Sequence, residues 1–336
     1  MTKQKGKLKK WILTIGVALL FLLSIGVGYA AYLYNKTEDL VTESFEDTGR
    51  ENETSDLREG KVDPVEDHVS VLLLGVDNSE HRNEEVSRTD AMVLATFNQD
   101  SESIKLLSIP RDSYAYIPEV GYHTKINHAH AYGGPRASMD AVEHFLQIPV
   151  DYYVTMNFEG FVEVVDALDG IMFDVPYEFQ ESDSQDKRDS IHLHEGYQEL
   201  DGEEALALAR TRDQDSDVAR GKRQQEILQA IADKAISSTS ILKLEDVITA
   251  IGSNMQTNFT FKEMQSFVSY GMAKDLAMET VNFDGEGTYL DDGGWYYMVE
   301  DDNRVEISNK LRRHLDLSPN NEVTDYAEDD EEEIVY

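Results

Sequence analysis

No cysteine occurs among the 336 residues. Thiol catalysis, cysteine metal sites and disulfides are excluded, and the composition fits an exported protein that does not rely on disulfides. There is no Gly-x-Ser-x-Gly elbow, no His-Glu-x-x-His motif and no phosphate-binding glycine loop. Internal repeats are absent, and low-complexity sequence is confined to the two acidic ends. Cationic charge is scarce: 30 Lys and Arg stand against 66 Asp and Glu, for a formal net charge of −36. No nucleic-acid partner is expected.

Apolar runs are short everywhere except near the N-terminus. Lys3, Lys5, Lys7, Lys9 and Lys10 precede an uncharged stretch from Trp11 to Tyr34. At about 1.5 Å per residue, a helix of that length crosses a hydrocarbon core of about 30 Å with some tilt. Trp11 at one end and Tyr29, Tyr32 and Tyr34 at the other resemble interfacial anchors. A cleaved signal peptide is the competing reading, since Tyr29-Ala30-Ala31 resembles a cleavage site. The run is longer than the ~7–15 residues of a signal h-region, which favours an anchor. The expected organisation is a basic cytoplasmic segment over 1–10, a single transmembrane anchor over 11–34 and an acidic flexible linker over 35–68. An extracellular domain follows, and an acidic disordered tail over 318–336 closes the chain.

The stretch from Val69 to Leu317 is long enough for one large domain. Val69–Val76 reads as a buried strand, with further strands at Ala91–Phe97, Ile104–Ile109, Tyr152–Met156, Ile171–Val175 and Thr280–Phe283. Helical spacing marks Pro135–Leu146 after the Gly133-Gly134 turn, then Phe158–Leu168, Glu203–Ala209, Val218–Ile236, Leu244–Ile251, Phe261–Leu276 and Val305–Leu315. Interleaved strands and helices predict an α/β (α+β) sandwich, a central mixed sheet flanked by helices on both faces. The helix from Phe158 to Leu168 reads as core rather than as a lipid slot.

Against the acidic background, Arg210, Arg212, Arg220, Lys222 and Arg223 crowd one short stretch. Arg88 lies in Ser87-Arg88-Thr89-Asp90 and Arg111 in Ser108-Ile109-Pro110-Arg111-Asp112. At physiological salt the Debye length is roughly 8 Å, so distant carboxylates cannot cancel arginines that touch a ligand. The guanidinium fork suits phosphate oxygens, and a phosphate or diphosphate is the first ligand to consider. Surface ion pairs with Asp213, Asp215 and Asp217 are the alternative. Arg210 and Arg212 share a face in an extended segment, and Arg220 and Arg223 share one on a helix, with Gln224 and Gln225 beside them. Asp77 follows the first strand and Asp90 lies just before the second, so antiparallel pairing would bring them together. Such carboxylates suit Mg²⁺, or are ordinary turn aspartates. His123, His128 and His130 read as a loop cluster rather than a metal site.

Several of these motifs occur together in a known order. Leu72-Leu73-Leu74-Gly75-Val76-Asp77, Arg88-Thr89-Asp90, Ser108-Ile109-Pro110-Arg111-Asp112, Lys125-Ile126-Asn127-His128-Ala129, Gly133-Gly134-Pro135, Leu200-Asp201-Gly202-Glu203-Glu204-Ala205-Leu206, Arg210-Thr211-Arg212 and Asp217-x-x-Arg220-x-x-Arg223-Gln224 resemble the LytR-CpsA-Psr proteins. The resemblance covers about Val69 to Ala235 and marks 69–235 as the catalytic domain, with 236–317 completing it. It implies a membrane-bound Gram-positive enzyme that moves an anionic glycopolymer, such as teichoic acid or capsule, from undecaprenyl diphosphate to peptidoglycan as a phosphodiester. By the same resemblance Asp77 and Asp90 hold Mg²⁺ (or Mn²⁺). Arg88, Arg111, Arg210, Arg212, Arg220, Arg223 and Gln224 bind the diphosphate, and a hydrophobic tunnel holds the polyprenyl chain. The catalytic set would be Asp77, Arg88, Arg111, Arg210 and Arg212, with Asp77 the candidate base. Polyprenyl-diphosphate hydrolysis and a non-catalytic envelope regulator are the alternatives. Two departures stand out. Asn78-Ser79 replaces the usual Asp-x-Arg continuation, with Arg82 further on, and Val218-Ala219 replaces the usual Phe-Gly before Arg220.

Overall fold

The computed structural model describes residues 31–50, 54–64, 66–76, 88–212, 217–235, 244–265 and 277–320. The chain begins there with a helix, α1, over 31–44. Next come β1 (Val69–Val76), β2 (Thr89–Asn98), β3 (Ser103–Ser108), β4 (Tyr114–Ile117), β5 (Tyr122–Lys125), α2 (His128–Leu146), β6 (Tyr152–Asn157), α3 (Phe158–Ala167) and β7 (Ile171–Val175). The middle of the chain forms β8 (Phe179–Glu181), β9 (Ile191–Leu193), β10 (Gly196–Leu200), α4 (Gly202–Arg210), α5 (Asp217–Ala235), α6 (Leu244–Asn254) and β11 (Met255–Thr257). A helical stretch, α7, covers 261–265, and β12 (Ala277–Val281), β13 (Gly285–Tyr289), β14 (Trp295–Val299) and α8 (Asp301–His314) finish the domain.

The centre is a six-stranded sheet in the order β11-β6-β1-β2-β3-β12. It is mixed: β1 runs antiparallel to β2 and parallel to β6, while β3 runs antiparallel to β2 and parallel to β12. The apolar run of β1 is explained by burial on both faces. Leu72 and Leu74 point to one face, where they pack with Met139, Phe145 and Leu146 of α2 and Ile307 and Leu311 of α8. The opposite face carries Val93, Ala95 and Leu106, with Leu73 and Leu228 of α5 packed against them. The strand expected at Thr280–Phe283 is β12, three residues earlier, and with β11 it forms the sheet's two edges. Segment 236–317 thus supplies both edge strands and the covering helix α8. The helix expected over Phe261–Leu276 is seen over 261–265, and its remainder lies outside the described residues, as does the acidic tail from 321.

Within α2 the backbone leaves helical geometry at Gly133 and Gly134. Gly134 has φ +65° and ψ −152°, a conformation open to glycine at little cost. Pro135 then starts the second helical segment, where its missing N–H is no loss.

The acidic stretch over 35–68 corrects the expectation of a flexible linker. Among its described residues, 35–44 belong to α1, and Arg50 and Arg58 beyond it are docked on the body. Arg50 meets Asp140 at 2.6 Å and Glu143 at 3.1 Å, and donates to the Val150 carbonyl at 2.8 Å. Arg58 grips Asp151 with two hydrogen bonds of 2.9 and 2.6 Å and donates to the His68 carbonyl. Both arginine side chains are 8% exposed. Composition marked this stretch as self-repelling, but two bidentate arginines outweigh scattered surface repulsion. No helix among the described residues is long and apolar enough to cross a membrane. The run expected to span, Trp11–Tyr34, lies outside them up to residue 30.

His314 ends α8 and locks it to the sheet. Its Nδ1 is 2.8 Å from Thr96 Oγ1 and its Nε2 is 2.9 Å from Ser103 Oγ. Burial, aided by Lys105 and His68, pulls its pKa down to about 4. The neutral ring is the folded form, so its contribution is intact above the ordinary value of about 6.5 and is lost as pH falls through the folded pKa. Between pH 7 and pH 5 the protein should lose about 2 kcal/mol on this account. Urea unfolding at the two pH values should show a smaller pH-dependent loss for His314→Gln.

Candidate active site

A cavity of about 430 Å³ opens against the α5 side of the central sheet. Strand register explains its floor. Val154, Leu73 and Val93 are register partners across β6, β1 and β2, and Met156, Gly75 and Ala91 form the next row. Strand residues two apart share a face, so both rows face the cavity, and all six residues line it. Gly75 and Ala91 keep the second row low. A Cβ on Gly75 would stand 3.1 Å from the Ala91 Cβ. Phe158 and Phe161 of α3, Leu206 and Ala209 of α4, and Ile227 and Leu228 of α5 supply apolar walls.

The polar lining differs in kind. Asp90, Arg111, Asn157, Glu181, Arg210, Arg212, Arg220 and Gln224 all border the same cavity. Asp90 owes its position to an irregularity in the ladder. Gly75 pairs with Ala91 and Val76 with Thr89, so Asp90 is the extra residue of a bulge. Bulges of this kind re-aim a side chain beside active sites. Here the bulge lets Asp90 and Ala91, consecutive in a strand, line one cavity.

Arg111 forms an ion pair with Asp90. Its backbone carbonyl accepts from Asn127 N–H at 3.2 Å, and the neighbouring Asp112 carbonyl accepts from Tyr297 N–H at 2.9 Å. Asp112 also holds Lys125 at 2.7 Å. The loop after β3 is thus tied to the loop before α2 and to β14.

Arg210 and Arg212 leave the C-terminus of α4, an end whose carbonyls lack helical partners. The start of α4 is fixed by a capping box in which Asp201 accepts from Glu204 N–H and Glu204 from Asp201 N–H. Its end is clamped by α5. Arg223 donates to the Leu208 carbonyl at 2.7 Å and the Thr211 carbonyl at 2.8 Å, and Gln224 to the Ala209 carbonyl at 3.1 Å. Gln225 reaches across to the Leu106 and Val281 carbonyls at 2.9 and 3.0 Å, which fastens α5 to β3 and β12. Gly221 permits this approach, because a Cβ there would lie 2.3 Å from Ser108 Oγ. Arg210 lies over the Phe158 ring, 4.9 Å from its centroid, and touches the Asp183 carbonyl at 3.2 Å and Asp186 at 3.4 Å. Arg212 is exposed and Arg220 is buried.

Of the residues singled out from the sequence, Asp90, Arg111, Arg210, Arg212, Arg220 and Gln224 line one cavity. Arg223 does not; its guanidinium is buried and spent on backbone carbonyls. Arg88 is exposed and outside the lining, yet near enough to act on His128. Burial, then the charges of Arg88 and Lys125, lower the His128 pKa, which keeps that ring neutral at pH 7. Asp77 and Arg82 lie outside the described residues. His123 stacks on Tyr114 at 5.2 Å, and His128 Nδ1 is 3.0 Å from Thr124 Oγ1. Sequence reasoning missed Asn157, Glu181 and the cavity-facing Phe158 and Phe161. The helix α3 is part core and part wall: Val164 and Val165 are buried in packed clusters, while the two phenylalanines border the cavity.

A cation-rich rim over an apolar pocket has the chemistry to hold an amphiphile with an anionic head. Residues 31–313 match the LytR_cpsA_psr family, and the chain belongs to that family. An uncharacterised Staphylococcus aureus protein is 42% identical over 92% of this chain and 77% of its own. The Bacillus subtilis protein named polyisoprenyl-teichoic acid–peptidoglycan teichoic acid transferase TagT is 37% identical, over 93% of this chain and 97% of its own. Among solved structures, one described as TagT bound to LI-WTA superposes with TM-score 0.66 and 36% identity, over 79% of this chain and 97% of that one. Another, TagT with bound octaprenyl pyrophosphate lipid, has TM-score 0.62 and 34% identity over the same shares of the two chains.

The two arginine environments have separable consequences. Arg223→Met should lower stability by about 2 kcal/mol, because the end of α4 loses charge-assisted bonds to buried carbonyls. Arg212→Ala, at an exposed position, should leave stability within about 0.5 kcal/mol. Urea denaturation of both variants checks this.

Proposed function

We propose that this chain is a membrane-anchored transferase that acts on the outer face of the cytoplasmic membrane. It moves an anionic glycopolymer from a polyprenyl (undecaprenyl) diphosphate carrier to peptidoglycan. The observation that carries this reading is the composition of a single cavity. Its floor and walls suit the isoprenoid chain, and its rim brings four guanidinium groups, those of Arg111, Arg210, Arg212 and Arg220, to the diphosphate. The names of the relatives and the lipid found in one of them support the same substrate class. The lysines before Trp11 and the uncharged run to Tyr34 support the anchor and its orientation.

In the reaction, a hydroxyl oxygen of the acceptor attacks the phosphorus that carries the polymer. The bond from that phosphorus to the bridging oxygen breaks, and polyprenyl phosphate leaves. The hydroxyl proton passes to a base, for which Asp77 is the candidate. The arginines hold the diphosphate and stabilise charge on both phosphoryl groups as the bridge breaks. Arg88, two residues before Asp90 in the chain and exposed, would add a further cation for the diphosphate.

The donor chemistry at Asp90 fits a hard divalent cation. It is an oxygen ligand in a lining shared with four arginines, and in the sequence Asp77 follows directly on β1, whose last residue pairs with Thr89. Mg²⁺ commonly takes one or two carboxylates plus substrate phosphates and waters. Bound by Asp77 and Asp90, Mg²⁺ (or Mn²⁺) would supply Lewis-acid polarisation of the phosphoryl oxygens.

Purified full-length protein, a polyprenyl-diphosphate-linked glycopolymer and peptidoglycan fragments provide the test. Mass spectrometry should detect polymer joined to the fragments through a phosphodiester. Arg111→Ala and Arg212→Ala should reduce the rate by about 100-fold or more. Free phosphorylated polymer with no joined product would mean that water is the acceptor and would overturn the transferase reading. Stripping divalent ions with EDTA should abolish turnover, and added Mg²⁺ should restore it. Ala209→Phe, which fills the apolar part, should weaken binding of a polyprenyl phosphate while leaving the Tm within a few degrees of wild type.

A further inference from the structure

Outside the cavity, a second group of side chains converges on the hairpin of β8 and β9. Phe179 pairs with Leu193 and Gln180 with His192, so Glu178, just before β8, lies across from His194, just after β9. His192 and His194 are two residues apart along an extended segment and share its face. Glu178 Oε1 is 2.8 Å from His192 Nε2 and 3.7 Å from His194 Nδ1. The two imidazole rings are 4.6 Å apart. One ligand atom from each of the three residues lies within 4.8 Å of the others, and among the described residues this is the group of three that could hold a metal ion.

A hydrogen-bonded Glu–His pair explains only part of this arrangement. The 3.7 Å between Glu178 and His194 is too long for a hydrogen bond, yet His194 turns its Nδ1 to the carboxylate oxygen already used by His192. The two imidazoles meet at a tilt of 52° rather than stacked, so ring packing does not account for their approach either. A divalent ion at about 2.0–2.2 Å from two nitrogens and one carboxylate oxygen satisfies all three donors at once. Two nitrogen ligands select against Mg²⁺ and Ca²⁺ and favour a borderline transition ion.

We propose that Glu178, His192 and His194 form a binding site for one Zn²⁺-class divalent ion, with its remaining positions open to water. The site is independent of the transferase reading. All three residues are exposed, so the ion enters directly from solvent. An ion here staples the open end of the hairpin. The same hairpin carries Glu181 into the cavity lining, and its connecting loop supplies the Asp183 carbonyl and Asp186 that hold Arg210.

Untagged full-length protein, stripped with chelator, should be titrated with Zn²⁺ by calorimetry and with Co²⁺ by visible absorption. One equivalent should bind at pH 7.5, with tetrahedral or five-coordinate Co²⁺ bands. His194→Ala and the His192→Ala, His194→Ala pair should weaken binding by about 100-fold or more, with circular dichroism unchanged. Asp90→Asn, which alters the other carboxylate site, should leave the Zn²⁺ affinity unchanged. No binding up to millimolar Zn²⁺, equal binding by the histidine variants, or loss of the Zn²⁺ site in Asp90→Asn would each overturn the assignment.

Discussion

Like charges brought to one small opening repel, and the site depends on overcoming that repulsion before any ligand arrives. Unit charges about 8 Å apart at an effective dielectric of ~20 oppose one another by about 2 kcal/mol. Arg111, Arg210, Arg212 and Arg220 share one rim, so several such terms act together. The protein answers with local partners rather than with its overall acidity. Asp90 pairs with Arg111, Asp186 and the Asp183 carbonyl engage Arg210, and Glu181 sits in the same lining. These contacts are part-exposed, whereas the bonds of Arg223 are buried.

Backbone geometry does as much as charge. The β1–β2 bulge turns Asp90 into the cavity, and the absence of a side chain at Gly221 lets α5 settle on β3. Arg223 and Gln224 then cap the carbonyls from which Arg210 and Arg212 project. Consecutive residues of α5 therefore have divided tasks. Arg220 and Gln224 face the cavity, Arg223 holds the neighbouring helix, and Gln225 fastens α5 to the sheet beneath.

Much of this was legible in the sequence, and the failures have physical causes. β1, β6, β7 and α3–α6 emerge from apolar periodicity because each buries at least one continuous face. The β13–β14 hairpin was missed: β13 reads Gly285-Glu286-Gly287-Thr288-Tyr289 and is largely exposed, so no alternation marks it. Three-residue strands such as β8, β9 and β11 are too short for any period to register. At the site, arginine crowding identified most of the rim, and order along the chain did the rest. Spacing alone could not separate Arg223 from Arg220, since both lie on one helix face; only the position of the α4 carbonyls distinguishes them. Nor could composition show that Arg50 and Arg58 fasten an acidic stretch, because averaged charge conceals which carboxylates meet which cation.

That fastening has a mechanical consequence. Ser44 donates to the Gly252 carbonyl at 2.6 Å, Glu46 N–H to the Thr257 carbonyl at 2.8 Å, and Lys36 meets Glu245 at 3.0 Å. From residue 31 onward the chain is bolted to the body at several points instead of paying out as a leash. Whatever residue 31 is attached to, the body moves with it as a bracket does with its wall. Its reach is set by its own dimensions, not by the length of a tether.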